Sequence, residues 1–284
     1  MTDATRELDE PAALDLPVSA SLLRELAYLD PRNWRSFFAG VDKEFWVICI
    51  VAAVGLTIHE MVFRSSLAAH YLSMVAPEWV YEVFRGDPAP WRDLVRYAWW
   101  AGGIMLVWVV LPLTTSWLLL KRGPRDYGLN GTPLRKLPPY LALLAVMVPI
   151  VVAAAFILPG FRDKYPLYAY KDTWSLTNLL IFELIYSSQF FAVEFFFRGY
   201  LVSGLGRSIG ARAILVSMMP YVMIHFHKPL LEALGAIVAG TILGAFALRT
   251  RSIWGGLMVH LGVAWSMDFF SLLAGSRGGF PYQW

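Results

Sequence analysis

The sequence predicts an all-α membrane protein, a polytopic bundle of about seven transmembrane helices. Of its 284 residues, 57% are hydrophobic and only 16% are charged, whereas a soluble domain is about half apolar and about a quarter charged. Apolar runs near the ~20 residues that a helix needs to cross a bilayer recur along the chain. This composition excludes a disordered chain, a coiled coil, a nucleic-acid-binding domain and most soluble enzymes. The single Cys49 excludes a disulfide framework and a cysteine-rich zinc module.

Seven apolar runs are the predicted membrane helices. The second and third contain no charged residue, and the fifth is short for a full crossing. The sixth is rich in glycine and alanine, which lets a neighbouring helix approach closely. In chain order the runs are Phe45–Val62, Tyr97–Leu120, Tyr140–Leu158, Leu176–Phe197, Ala211–Phe226, Leu230–Leu248 and Ile253–Leu273.

The first 40 residues differ in kind from the rest of the chain. They are polar and acidic at their start and lack the basic start and apolar run of a signal peptide. We predict that residues 1–40 form a cytoplasmic tail with an amphipathic surface segment near its end. Residues 41–284 are predicted to form the transmembrane domain, with connecting loops at 64–96 and 160–175.

Lysine and arginine residues near the helix ends predict the orientation, because cytoplasmic loops carry an excess of them. The arginines of the loop at 64–96 are matched by acidic residues, whereas those of the alternate loops are not. We therefore expect the N-terminus in the cytoplasm and the C-terminus outside, in the cell (inner) membrane. The predicted cytoplasmic positive residues include Lys43, Lys121, Arg122, Arg125, Arg135, Lys136, Arg198, Arg207, Arg212, Arg249 and Arg251.

Ionisable residues concentrate in the last four predicted helices. Such a residue costs about 2.5–3.5 kcal/mol at the centre of a membrane helix, so it usually faces the bundle interior and has a function. The first three helices have almost none, apart from a His-Glu pair at the end of the first. This distribution predicts a polar site within the bilayer in the C-terminal half of the chain. The residues concerned are Glu183, Glu194, His225, Glu232, His260 and Asp268.

Helical spacing groups these residues. Glu194 and Arg198 are four apart, in the order that suits an ion pair, and Glu183 lies three turns before Glu194 on the same stripe. Tyr221 and His225 are one turn apart, and His260 and Asp268 are two turns apart, so each pair shares a helix face. Carboxylates and imidazoles from different helices are the parts of a site that activates water. The plainer alternatives are a structural Glu194–Arg198 pair and a Glu232 that begins the sixth helix.

Three segments resemble the motifs of one membrane-protein family, and they occur in the family's order over about residues 176–270. Val193–Leu201 (VEFFFRGYL) resembles the EExxxRG motif of the CPBP family, which contains the type II CAAX prenyl proteases and bacteriocin-processing relatives. Tyr221–His225 (YVMIH) is similar to the second motif, FxxxH. The run Gly240–His260 resembles the approach to the third motif, HxxxN/D.

The resemblance implies an intramembrane endopeptidase in which glutamate and histidine activate a water that attacks a peptide carbonyl. It implies that Glu194 is the base, that His225 and His260 contact the water and the oxyanion, and that Arg198 orients Glu194. Asp268, Glu232, Glu183 and Tyr221 are second-tier residues of this site. The resemblance leaves open whether a divalent zinc ion is required. If a metal is present, Glu194, His225 and His260 are its expected ligands.

Two positions depart from the family pattern. Aligned on Arg198-Gly199, the first glutamate of the motif falls on Val193, and only the second is present, as Glu194. His260 is followed four residues later by Ala264 instead of asparagine or aspartate. Glu194 could take over the work of the missing glutamate if the helix were distorted, and Asp268 could replace the missing polar group one turn on.

Three functions therefore remain from the sequence. The first is a membrane endopeptidase that acts on a peptide or a membrane-associated protein. The second, motivated by Val193 and Ala264, is a non-catalytic membrane scaffold or immunity-type protein that binds a peptide without cutting it. The third is a proton-coupled transporter, since transporters also place carboxylates and histidines in membrane helices. The expected partners are the lipid bilayer and the substrate, with no nucleic acid.

Overall fold

A computed structural model describes residues 40–64, 70, 74, 76–85, 89–168, 175–226 and 228–276. The predicted cytoplasmic tail and surface segment lie outside the described residues. The chain divides between Asp42 and Lys43 into two units, and the fold below is that of the second.

The described residues form an all-α fold, as predicted, and none of them is in a β-strand. Four π-helical segments continue or interrupt the helices, at His59–Arg64, Leu106–Val110, Ser116–Leu120 and Phe195–Gly204. The α-helices are α1 (Lys43–Ile58), α2 (Glu78–Arg85), α3 (Pro90–Met105), α4 (Leu111–Thr115), α5 (Pro138–Ile157), α6 (Pro159–Lys164), α7 (Leu176–Glu194), α8 (Leu205–Ile209), α9 (Arg212–Met223), α10 (Leu230–Thr250) and α11 (Trp254–Leu273).

Six helical stretches among the described residues are long and apolar enough to cross a membrane. The fifth predicted run contributes only α9, a helix of 12 residues. At 1.5 Å per residue, this helix is about 18 Å long, well short of the ~30 Å hydrocarbon core. The six stretches are Lys43–Arg64, Pro90–Leu120, Pro138–Ile157, Leu176–Ile209, Leu230–Thr250 and Trp254–Leu273.

The fourth of these stretches is longer than the sequence predicted. The run Leu176–Phe197 was expected to end before Gly199, but the helix continues through Phe195–Gly204 to Ile209. Gly199 serves packing here, because a Cβ at this position would lie 2.4 Å from the carbonyl oxygen of Tyr127. Arg198, counted above among the cytoplasmic loop residues, therefore lies inside the helix and is 1% exposed.

The stretch Leu176–Ile209 is the most buried of the six and forms the centre of the bundle. Its aromatic residues build the core: Phe196 stacks on Trp108 with ring centroids 5.2 Å apart, and Phe197 meets the same ring edge-on. Three helix pairs pack closely, α5 with α11, α9 with α10, and α3 with α7. The end of α7 is thereby held rigidly among its neighbours.

Candidate functional site

Glu194, the last residue of α7, lies at the centre of a buried polar cluster. Its carboxylate is fully buried. One oxygen, Oε1, lies 3.3 Å from Nη1 of Arg198 and 3.0 Å from Nδ1 of His260 on α11. The structure thus contains the ion pair that the four-residue spacing predicts, and it adds a histidine from a helix far along the chain. Oε1 accepts a hydrogen bond from His260, whereas the contact with Arg198 is an ion pair without hydrogen-bond geometry. The opposite charge of Arg198 still offsets part of the cost of burying the carboxylate.

A glycine on α11 makes this approach possible. A Cβ at Gly256 would lie 2.3 Å from Oε2 of Glu194. Any larger residue would push the carboxylate away from its partners. Gly256 is one helical turn before His260, so the same face of α11 provides both the space and the hydrogen bond.

The hydrogen bond to Glu194 determines how His260 presents its ring. A carboxylate only accepts, so Nδ1–H of His260 donates to Oε1. In the neutral ring, Nε2 then carries a lone pair and faces away from Glu194. The ring packs against Phe190, with centroids 4.6 Å apart.

His225 is held in the same tautomer by a different partner. Its Nδ1 lies 2.7 Å from the carbonyl oxygen of Tyr221, which can only accept, so Nδ1–H donates and Nε2 is again unprotonated in the neutral ring. The Tyr221 ring stands 4.7 Å from the His225 ring and 4.1 Å from the guanidinium carbon of Arg198. Tyr221 therefore connects the Glu194–Arg198 pair to His225 through a cation–π contact.

A cavity of about 480 Å³ lies next to this cluster. Three histidines and three cations line it, and no aspartate or glutamate is among its described lining residues. Glu194 is absent from the lining because its side chain points toward Gly256 and Arg198. The histidine, lysine and arginine residues of the lining are His59, Arg64, Lys164, His225, Lys228 and His260.

Val193, and not Glu194, lies on the cavity wall. Neighbouring residues on a helix point about 100° apart, and Val193 lines the cavity together with His225 and His260. The helix is distorted, but the π-helical segment begins at Phe195 and so leaves the direction of Glu194 unchanged. The residue that aligns with the first glutamate of the CPBP motif is thus the one that faces the cavity, and here it is a valine.

The three acidic second-tier residues divide into two groups, neither of which lines the cavity. Glu232 accepts hydrogen bonds from the hydroxyl of Tyr165, at 2.9 and 3.0 Å, and pairs with Lys228 at 3.0 Å. Asp268 is 2% exposed and lies beside Glu183, two turns along α11 from His260. Ala264, between them, is buried and apolar. The predicted replacement of its missing polar group by Asp268 therefore does not occur at the cavity wall.

The cationic side of the cavity was not predicted. Arg64 ends the first stretch, Lys164 ends α6 and Lys228 precedes α10. Arg64 pairs with Glu60 at 3.1 Å. Burial, together with the nearby charge of Lys228, lowers the pKa of Lys164 to about 8. These residues belong to no motif and come from three distant parts of the chain, so nothing in the sequence pattern connects them. His59, which in the sequence stands next to Glu60 at a helix end, also lines the cavity.

The ligand set suggested for zinc does not form a metal site in this geometry. Among the residues that the structure describes, no three His, Cys, Asp or Glu side chains lie close enough together to hold a metal ion. The Oε1 atom of Glu194 is already held by Arg198 and by Nδ1 of His260. In their neutral forms His225 and His260 present an unprotonated Nε2, as a metal-binding histidine does, but no third His, Cys, Asp or Glu among the described residues completes a cluster with them.

Comparison with known families matches residues 174–266 to the model described as type II CAAX prenyl endopeptidase, Rce1-like. The matched segment contains Glu194, Arg198, His225 and His260, and it also contains Val193 and Ala264. The resemblance to the CPBP family is confirmed over this segment. The six apolar helices support an integral membrane protein, and over the matched segment the chain is similar to a family of membrane proteases. No curated protein and no solved structure matches the chain.

Proposed function

We propose that the protein is an intramembrane endopeptidase in which His260, oriented by Glu194, activates the attacking water. The observation that carries this proposal is the 3.0 Å contact between Nδ1 of His260 and Glu194, made by a ring that also lines the cavity. The substrate is a peptide or a membrane-associated protein that enters the cavity beside the two histidines.

In the proposed reaction, Nε2 of His260 takes a proton from water as the oxygen attacks the peptide carbonyl. The ring becomes an imidazolium, and the carboxylate of Glu194 stabilises its charge, as the buried carboxylate does in a Ser-His-Asp triad. When the tetrahedral intermediate collapses and the peptide C–N bond breaks, His260 returns this proton to the leaving nitrogen, which gives a carboxylic acid and an amine and restores the neutral ring. Arg198 holds Glu194 in place. His225 presents a lone pair on Nε2 and accepts a hydrogen bond from the same water.

The negative charge that develops on the carbonyl oxygen needs a positive neighbour. Lys164 and Lys228 line the cavity, where a low dielectric strengthens their field. In this proposal they replace the polar group that the family carries at the position of Ala264. Glu194 changes from the base, as the resemblance implied, to the positioning residue of the base.

The test is cleavage of quenched fluorescent peptides by the purified protein in proteoliposomes. We expect His260→Ala to lower the cleavage rate by about 10²–10⁴-fold, the usual contribution of a general base. The matched control is His70→Ala, since His70 is exposed and is not among the lining residues of the cavity. Equal cleavage by the two variants would contradict the proposal.

A second function, peptide binding without cleavage, is favoured by Val193 and Ala264. A valine on the cavity wall cannot take a proton, and a buried alanine cannot donate to an oxyanion. Measuring peptide binding by fluorescence anisotropy in the same proteoliposomes separates the two functions. Saturable binding to the wild type without any turnover would favour the binding protein, whereas turnover that is lost in His260→Ala would exclude it.

A further inference from the structure

Two neighbouring carboxyl groups, that of the buried Asp268 and that of the half-buried Glu183, have no part in the proposed hydrolysis. They come from α7 and α11, the helices that also carry Glu194 and His260. The two helices run antiparallel, in a register set by the Phe190–His260 ring contact. One turn further along, Trp265 Nε1 donates to Ser187 Oγ at 3.1 Å. The same register brings Asp268 beside Glu183, close enough for the two carboxyl groups to interact electrostatically.

These groups have oxygen atoms with no donor. Both carboxyl oxygens of Asp268, Oε2 of Glu183 and Oγ of Ser271 are buried without a hydrogen-bond partner among the described residues. Asp268 is 2% exposed and Ser271 is fully buried. Ser271 follows Asp268 by three residues, so both side chains lie on one face of α11. Three of these four oxygen atoms belong to the carboxyl pair and the fourth lies one turn further along the same face of α11, and all four can accept a hydrogen bond.

Two carboxylates side by side in a low dielectric repel each other strongly. Lys228 is the cation that acts on Asp268, and it is shared with Glu232 at 3.0 Å. The hydroxyl group of Tyr186 is also close enough to Asp268 for the two to interact electrostatically. Carboxyl groups that remain within membrane helices without a partner are costly and usually mark an ion or proton site. A positive charge between the two carboxyl groups would relieve this repulsion more effectively than Lys228, which also pairs with Glu232.

We propose that Glu183, Asp268 and Ser271 bind one monovalent cation, either a sodium ion or a proton. Carboxylate and hydroxyl oxygens are the ligands that a hard cation prefers. A proton would satisfy the pair differently, since a protonated carboxyl group donates to its neighbour. Either occupant joins α7 to α11 and so holds together the two helices that position Glu194 and His260.

The experiment is thermal unfolding of the full-length protein in detergent, at constant ionic strength. Sodium chloride replaces choline chloride at pH 9, and in a second series the pH is lowered from 9 to 5 without sodium. For a sodium site we expect a saturable rise in Tm of several degrees on sodium addition. For a proton site we expect acidification to raise the Tm of the wild type more than it raises the Tm of Asp268→Asn. In both cases Asp268→Asn and Glu183→Gln should abolish the effect.

The control variant is Asp163→Asn, which removes an exposed carboxylate and should keep the full response. Ser271→Ala provides a milder test, since it keeps both carboxyl groups and should weaken a sodium response. If wild type and Asp268→Asn respond equally to sodium and equally to pH, the proposal is overturned. The measurement is of stability, so its outcome is independent of whether the protein cleaves peptides.

Discussion

Val193 and Glu194 are neighbours in the chain but face different parts of the molecule. Val193 lines the cavity with His225 and His260, whereas Glu194 is fully buried against Gly256 and Arg198. A carboxylate at position 193 would contact the substrate, whereas the carboxylate at position 194 positions a histidine. The chemistry available to the cavity depends on which of the two positions carries the acid.

Val193→Glu should raise the cleavage rate by at least about tenfold. It places a carboxylate on the cavity wall beside two imidazoles, where it can accept a proton from water. The comparison is with Val193→Gln, which has nearly the same shape and no charge, in the proteoliposome cleavage assay. Equal rates for the two variants would show that a carboxylate at this position adds nothing, as expected for a protein that only binds.

At the scale of the helices, the site depends on the contact between α7, which carries Glu194, and α11, which carries His260. Their close approach depends on Gly256, where even a methyl group would lie 2.3 Å from the Glu194 carboxylate. The π-helical segment after Glu194 carries Arg198 and keeps it buried, so the helix continues past Phe197, where the predicted run ends. The site is therefore made at a helix–helix contact, with α9 adding His225 through Tyr221.

Gly256→Ala should lower the free energy of unfolding by about 1–3 kcal/mol, the usual cost of overpacking. The added methyl group displaces Glu194 from Arg198 and His260, so cleavage should fall as well. Gly235→Ala is the matched control on α10, because a Cβ there meets nothing within 4 Å. It should be neutral or raise stability by up to about 1 kcal/mol through helix propensity. Equal unfolding free energies for both variants, measured by denaturant titration in detergent, would rule out the close contact.

At the scale of the whole molecule, the two ends of the bundle have different polar contacts. At one end, Glu44 accepts from Arg207 at 2.8 Å, and Lys136 donates to the carbonyl oxygen of Arg249 at 3.2 Å. The other end contains the Tyr165–Glu232–Lys228 contacts and the cationic side of the cavity. Each end joins residues from distant parts of the sequence.

The excess of lysine and arginine predicts that the end containing Glu44 faces the cytoplasm. The prediction is tested by labelling single cysteines in a Cys49→Ser background with a membrane-impermeant maleimide. Lys121→Cys should react only from the cytoplasmic face and Asp163→Cys only from the opposite face. Both positions are exposed. Labelling with the faces exchanged would reverse the orientation and place the cationic side of the cavity in the cytoplasm.

The sequence by itself determined the membrane class, the all-α fold and the segment that contains the site, because these depend on composition, run length and helical spacing. It also determined the Glu194–Arg198 pair, since residues four apart on a helix must be neighbours. It did not determine that α9 is too short to span, or that the helix continues past Gly199, because tertiary packing overrides local signals at both places.

Only the tertiary structure decided which polar residues meet. It directs Val193, not Glu194, to the cavity, joins Glu194 to His260, and brings His59, Arg64, Lys164 and Lys228 to one wall. It also separates Glu183 and Asp268 from the cavity and places them beside each other. The physical reason is that a spacing along one helix gives a direction around its axis, whereas the partner found in that direction depends on how distant helices pack.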